Sequence, residues 1–289
     1  MRPFVINPLK KTRKLIPNEL QSLSGKIKIS DLATNSKMKK FRFLLAFHSF
    51  RAVYFRFSLG NAMVKNSKVL WVILICLFSV LHAQPSIDEV KEEVRRGLFQ
   101  ITGWCSQEKA MNFIDLVLEV KPQVCVEIGV FGGRSVFPVA MALKFLESGF
   151  IIGIDPWDRI ECLKHLDTVE DPKHFDHWGK EDLKFAYRSY LEMIKKYDLE
   201  EYCVTKKISS EKAVPSIDFI DILYIDGNHS EASSLQDVAL YLPKVRSGGY
   251  IWFNDPKWPS LYAACNFLQK NCEVIKMIDN DNCILFRKR

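Results

Sequence analysis

From residue 124 onward the chain repeats one pattern. A short run of consecutive apolar residues meets a glycine or an acid, and a stretch follows whose apolar positions recur every three or four residues. The runs are VCVEI at 124–128, FIIGI at 150–154, FIDILYI at 219–225 and GYIWF at 249–253. Unbroken apolar runs, as opposed to alternating ones, are what strands covered on both faces require. A further strand is predicted at 202–206. Ala110, Met111, Ile114, Val117 and Leu118 form the stripe of an amphipathic helix over 107–120. Residues 135–147 and 231–241 read as helices too, Pro138 being tolerable in a first turn. A polar, aromatic insertion at 156–179 precedes a helix ending near residue 197. The tail predicts a helix near 261–269 and strands at 273–278 and 283–286, joined by the turn-forming Asp279-Asn280-Asp281-Asn282.

Strand and helix alternate, so the fold class is α/β: a Rossmann-like, doubly wound, mostly parallel sheet with an antiparallel element at its C-terminal end. In such sheets ligands bind outside the carboxyl ends of the strands. Here those ends carry Glu127, Asp155, Asp226 and Asp255. One acid at a strand end is ordinary turn chemistry; four at four ends form the main functional signal.

Charge divides the chain. Of 289 residues, 41 are Lys or Arg and 34 Asp or Glu, a formal net charge of +7. Up to Gln84 there are 15 basic and 2 acidic residues, and beyond it 26 basic and 32 acidic, so a basic leader of +13 precedes a body of −6. The leader's charge therefore says nothing about the body, which lacks a dense Lys/Arg face, and a nucleic-acid partner is not expected. With 48% hydrophobic residues, 13 Gly and 12 Pro, disorder and collagen are excluded. A single long apolar run excludes a polytopic membrane protein.

That run, VLWVILICLFSVL, opens at Val69 and closes at Leu81, with Lys65 and Lys68 before it. Its length suits a secretory h-region better than a membrane span of about 20 residues. Met63 then opens a short basic n-region, which predicts translation from Met63, residues 1–62 as an unstructured or mis-assigned leader, and 63–84 as a signal peptide or membrane anchor. An organelle-targeting arm stays open for the leader. Residues 85–289 form the predicted domain, exported or membrane-anchored, with membrane contact confined to the apolar run and a cytoplasmic location as the alternative. Of eight cysteines, seven lie in the body with no C-x-x-C, so buried thiols are expected, a Cys265–Cys272 pair being the alternative. Nothing in the pattern sets an oligomeric state.

Glu127-Ile128-Gly129-Val130-Phe131-Gly132-Gly133-Arg134-Ser135 is a glycine-rich strand-to-helix turn. Its glycine spacing is not the G-x-G-x-x-G of nicotinamide dinucleotide sites, and an acid two positions before the first glycine suits a ligand with a cationic end. VEIGVFGGRS, GIDPWD, ILYIDGNHS and LPKVRSGGYIWFNDPKWP together resemble the class I S-adenosylmethionine-dependent methyltransferases, in particular the small-molecule group with E-x-G-x-x-G-G-S and I-D-G-x-H motifs. The resemblance runs from about residue 107 to the C-terminus and implies seven strands, the last antiparallel. It implies that Glu127, Gly129, Gly132, Gly133 and Ser135 line the methionine and ribose part of S-adenosyl-L-methionine, with Asp155 taking the ribose hydroxyls. Ser209 and Ser210 fall where the family contacts adenine, and Asp226 borders the same cofactor.

Asp226 and His229 are the catalytic candidates. His229 sits where a general base could take a proton from an acceptor hydroxyl, an ordering hydrogen bond being its other role. Asp226, Asn254 and Asp255 could hold a hard divalent ion such as Mg²⁺. Metal-dependent catechol-type relatives carry an Asp-Asn pair at the fifth strand end, and here the order is reversed. The aromatic insertion, with Trp157, His165, His174, Phe175, His177 and Trp178, predicts a lid over a small-molecule acceptor. A cofactor-holding or sugar-binding module without turnover is the competing function.

Overall fold

The computed structural model describes residues 84–166 and 172–289, the side chains of 172–174 aside. Met63 and the apolar run from Val69 to Leu81 lie outside the described residues. Among the described residues no helix is long and apolar enough to cross a membrane.

Seven strands form one sheet in the order β3-β2-β1-β4-β5-β7-β6. They are β1 (Val124–Ile128), β2 (Phe150–Ile154), β3 (Cys203–Lys206), β4 (Ile220–Ile225), β5 (Val245–Asn254), β6 (Cys272–Ile278) and β7 (Cys283–Lys288). β1 to β5 run parallel, while β7 is antiparallel to both β5 and β6. Winding proceeds outward from β1 in one direction and from β4 in the other, so a crevice opens between them at the carboxyl ends.

Among the described residues nine α-helices flank the sheet: α1 (Ile87–Leu98), α2 (Gln107–Val120), α3 (Val136–Leu146), α4 (Arg159–Leu163), α5 (Pro172–Lys180), α6 (Leu183–Lys196), α7 (Ser210–Ala213), α8 (Glu231–Tyr241) and α9 (Tyr262–Asn271). Alternation along β5 shows why two cores form. Trp252 joins Phe113 and Tyr224 under α1, α2, α3 and α6, while Ile251 and Phe253 join Val238, Leu261 and Leu268 under α8 and α9. β1 and β4 are buried on both faces throughout, which is why they read as continuous apolar runs.

Three features differ from the sequence reading. Helix α1 was not expected, because charged residues dilute its stripe of Val90, Val94 and Leu98. Its N-terminal capping box, Ser86 with Glu89, is the local signal that marks it. The insertion is not irregular: it contains α4 and α5. β5 starts four residues earlier than predicted, with Ser247-Gly248-Gly249 taken up as an irregularity in pairing with β4 and Gly248 at φ +77°. The seven described cysteines are all free thiols, Cys265 and Cys272 included.

Candidate active site

The loops after β1, β2, β4 and β5 enclose a cavity of about 480 Å³, a size typical of small-molecule sites, which run roughly 300–1,000 Å³. Gly129, Ser135, Asp155, Ser209, Ser210, Asp226, His229, Asn254 and Asp255 border it. Glu127, Gly132 and Gly133 do not line it.

The glycine turn serves the protein's own packing. Gly129 has φ +86°, and a Cβ there would lie 2.0 Å from the Asp226 carbonyl oxygen. At Gly132 the Cβ would meet Thr102 at 2.1 Å, and at Gly133 (φ +85°) Tyr190 at 2.6 Å. These glycines let β1 sit against the β4 loop and let the residues before α2 cross the turn. Glu127 lies behind Ser135, whose hydroxyl donates to its Oε1 at 2.5 Å, while Oε2 is buried with no hydrogen bond. Burial holds Glu127 well above the usual carboxylate range.

Asp155 ties the turn down. Its Oδ2 accepts from the backbone N–H of Val130 (3.0 Å) and Phe131 (2.9 Å), and its Oδ1 from that of Trp157 (2.7 Å). A carboxylate offers about four acceptor positions, so one remains, on Oδ1, where the sequence reading expected room for two ribose hydroxyls. Burial pushes Asp155 up, against those three donors. The backbone is left-handed at Phe131 (φ +49°), Trp157 (+45°) and Asp255 (+48°), one residue in each of three cavity loops, the kind of strain that concentrates at working sites.

At the ends of β4 and β5 the charges converge. Tyr224 Oη donates to Asp226 Oδ2 at 3.0 Å; Asn254 Nδ2 donates to Asp226 Oδ1 and to Asp255 Oδ2, both at 2.8 Å. His229 Nε2 faces those same two oxygens, each at 3.6 Å, and its ring packs on Trp258 with centroids 4.9 Å apart. Ligand atoms of Asp226, His229 and Asp255 lie within 4.8 Å of one another. Asp255 is raised, first by burial and then by Asp226. The predicted oxygen-only set is thus not assembled: Asn254 turns its amide nitrogen to the carboxylates and its oxygen to Lys109, 2.9 Å away.

The insertion closes one side. Asn228 Nδ2 donates to the carbonyls of Cys162 and Lys164, both at 2.9 Å, and His165 Nδ1 meets Ser233 Oγ at 3.2 Å. Trp104, Phe131, His177 and Trp178 pack edge to face or stacked along another wall, with centroids 5.0 to 6.0 Å apart. The side chain of His174 lies outside the described residues.

Residues 126–256, which contain the turn and both charged strand ends, match a family described as Methyltransferase domain. This segment is a methyltransferase domain. The sheet order and antiparallel last strand give the methyltransferase domain the class I fold, as the sequence reading expected. An uncharacterized protein, R132, of Acanthamoeba polyphaga mimivirus is 32% identical over 135 residues, 45% of this chain and 50% of its own length. The chain therefore spans about half the length of that curated relative. The structure of the O-methyltransferase NovP is similar with a TM-score of 0.53 at 19% identity, covering 62% of this chain and 78% of that one. An SAH-bound methyltransferase of Podospora anserina, PaMTH1, is similar at 0.50 with 14% identity, covering 80% and 100%. At those identities the likeness is one of fold.

Several residues of the methyltransferase domain's cavity escaped the sequence reading. Lys109 is buried on the apolar stripe of α2 with Phe113 and Ile114. A lysine in the first turn, where the helix dipole favours acids, is the signal that could have found it. Asp237 lies on the buried face of α8 beside Val238 and Tyr241, accepts from Ser210 Oγ at 2.5 Å, and is pushed up by burial to about 7. Asn228 and Trp258 carry no such signal, since each lies in a loop.

Proposed function

We propose that the domain binds S-adenosyl-L-methionine and transfers its methyl group to a hydroxyl of a small-molecule acceptor. The observation that carries the reading is the cluster of Asp226, His229 and Asp255 in the same cavity as the glycine turn and Asp155. When bound, the cofactor supplies an electrophilic sulfonium methyl. The chain's own part is to orient, shield and accept a proton. Ser135, Asp155, Ser209 and Ser210 would hold the cofactor along β1, β2 and the loop after β3. Gly129 borders the cavity, Gly132 and Gly133 act at one remove, fixing the loop's course, and Glu127 acts through Ser135.

His229 is the residue we assign to the acceptor's proton. Flanked by Asp226 and Asp255 at 3.6 Å, the imidazolium that forms would be stabilised by two nearby carboxylates. The aromatic wall and the two insertion helices exclude water, and a flat, partly apolar acceptor suits that wall. Export or membrane anchoring, and a start at Met63, remain our proposals for residues 1–84. Asn228, the preceding residue, and Trp258, packed on the imidazole ring, hold the His229 loop in place.

Isothermal calorimetry of the full chain with S-adenosyl-L-methionine tests the reading, and binding is expected. No binding would remove it. A chain that binds the cofactor but methylates no member of a hydroxyl-acceptor panel would be a cofactor-holding module without turnover.

A further inference from the structure

Lys109 is the buried cation of the cavity. Its side chain is 6% exposed, and Nζ stands 2.9 Å from Asn254 Oδ1 and 3.6 Å from Asp279 Oδ2. A buried ammonium is stable only when acceptors and negative charge surround it. Burial works against its charge, while Asp226 favours it and helps to hold the ammonium above the usual lysine value.

That ammonium determines what Asn254 can do. Lysine has donors only, so the amide must give Lys109 its oxygen and turn its –NH₂ the other way. The –NH₂ then donates to Asp226 Oδ1 and Asp255 Oδ2, both at 2.8 Å, which are the two oxygens His229 also faces. A hard divalent ion needs oxygen lone pairs converging on one point. Here two amide hydrogens occupy the space between the carboxylates. Turning the amide over to offer its oxygen would press –NH₂ against the ammonium, donor against donor, at a residue that is 6% exposed. The oxygen-only set of Asp226, Asn254 and Asp255 therefore does not fit Mg²⁺.

We infer that Lys109, acting through Asn254, takes the place of a divalent cation at the ends of β4 and β5, so that Asp226 and Asp255 are held together without a metal. Lys109 is a positioning residue: it touches Asn254, and Asn254 touches the two carboxylates. The inference deepens the methyl-transfer reading, because it assigns the reaction to a metal-independent site, yet its geometry does not depend on that reading.

Titration of the full chain with Mn²⁺, followed by the electron paramagnetic resonance signal of the free aqua ion, tests it. The unaltered chain is expected to leave Mn²⁺ free at concentrations where Lys109→Met binds one ion. The gain in affinity should be at least roughly tenfold, since a unit charge within several ångströms is removed. Asn254→Asp, which restores an oxygen on the inward side, should also gain Mn²⁺ binding and stands as the readout if Lys109→Met fails to fold. Tight binding of one Mn²⁺ by the unaltered chain overturns the inference, as does a folded variant that gains nothing. Calorimetry with S-adenosyl-L-methionine on the same samples separates the two ideas: absent cofactor binding removes the methyl-transfer reading, while the Mn²⁺ comparison still decides the role of Lys109.

Discussion

The two edges of the parallel sheet treat their acids in opposite ways. Where the strands begin, Asp221 accepts from the backbone N–H of Gln123 at 2.8 Å and of Val124 at 2.9 Å, and from Arg246 Nη1 at 2.8 Å. The Arg246 guanidinium lies 3.7 Å from the centre of the Phe219 ring. The carboxylate fastens β1, β4 and β5 together. Where the strands end, Glu127, Asp155 and Asp255, and Asp237 on α8 beside the same cavity, are all pushed up, each mainly by burial. Those groups cost stability where they sit. An edge that keeps such groups is serving something other than the fold, and raised acids in a cleft are the mark of a working site.

The difference can be broken or sharpened by substitution. The largest effect is expected for Gly129→Ala, which puts a Cβ 2.0 Å from the Asp226 carbonyl at φ +86°. A loss of more than about 3 kcal/mol, read by thermal melting, would show that the carboxyl edge too has a part that serves the fold. Next comes His229→Ala, for which methyl transfer should fall by roughly 10²- to 10⁴-fold while the melting temperature moves little. Unchanged turnover by every accepted substrate would remove His229 from the reaction. Asp221→Ala should do the reverse. It strands two backbone donors at the strand starts and should cost about 1–3 kcal/mol of stability, leaving cofactor affinity by calorimetry as it was.

A slope is the smallest effect expected. Asp237 binds its proton more tightly folded, at about 7 against an ordinary 3.8. Its contribution is therefore fully present below about pH 4 and is lost as pH rises through about 7. Asp237→Asn should remove that part of the decline, seen as a flatter plot of denaturation midpoint against pH between 4 and 7 than the unaltered chain gives. Identical slopes would mean that Asp237 ionises freely in the folded domain.

The strands were legible because their demands are local. β1, β2 and β4 must be apolar on both faces, and each ends at a residue whose identity breaks the run. The acids at those ends, with Asp226 and Asp255 at two adjacent strand ends, were legible too, whereas the approach of His229 to both carboxylates was not. What each acid would be holding did not follow. Asp155 looked like a ribose ligand and is largely taken up by Val130, Phe131 and Trp157. Asn254 looked like an oxygen ligand, and its amide is turned by Lys109, which is 145 positions away in the chain. Hydrophobic period tells which side of an element is covered, while the direction of a hydrogen bond depends on a partner that only the folded chain supplies. Helix α1 is the opposite case, since its capping box was in plain view at Ser86 and Glu89.

Asn228 links two of these features. Its side chain fastens the insertion through Cys162 and Lys164, and the next residue in the chain is His229. The Asn228 Oδ1 also accepts from the backbone N–H of Ser230 at 2.8 Å, on the far side of His229 in the chain. One amide thus spans two segments more than sixty residues apart in sequence, and His229 sits between its two points of attachment.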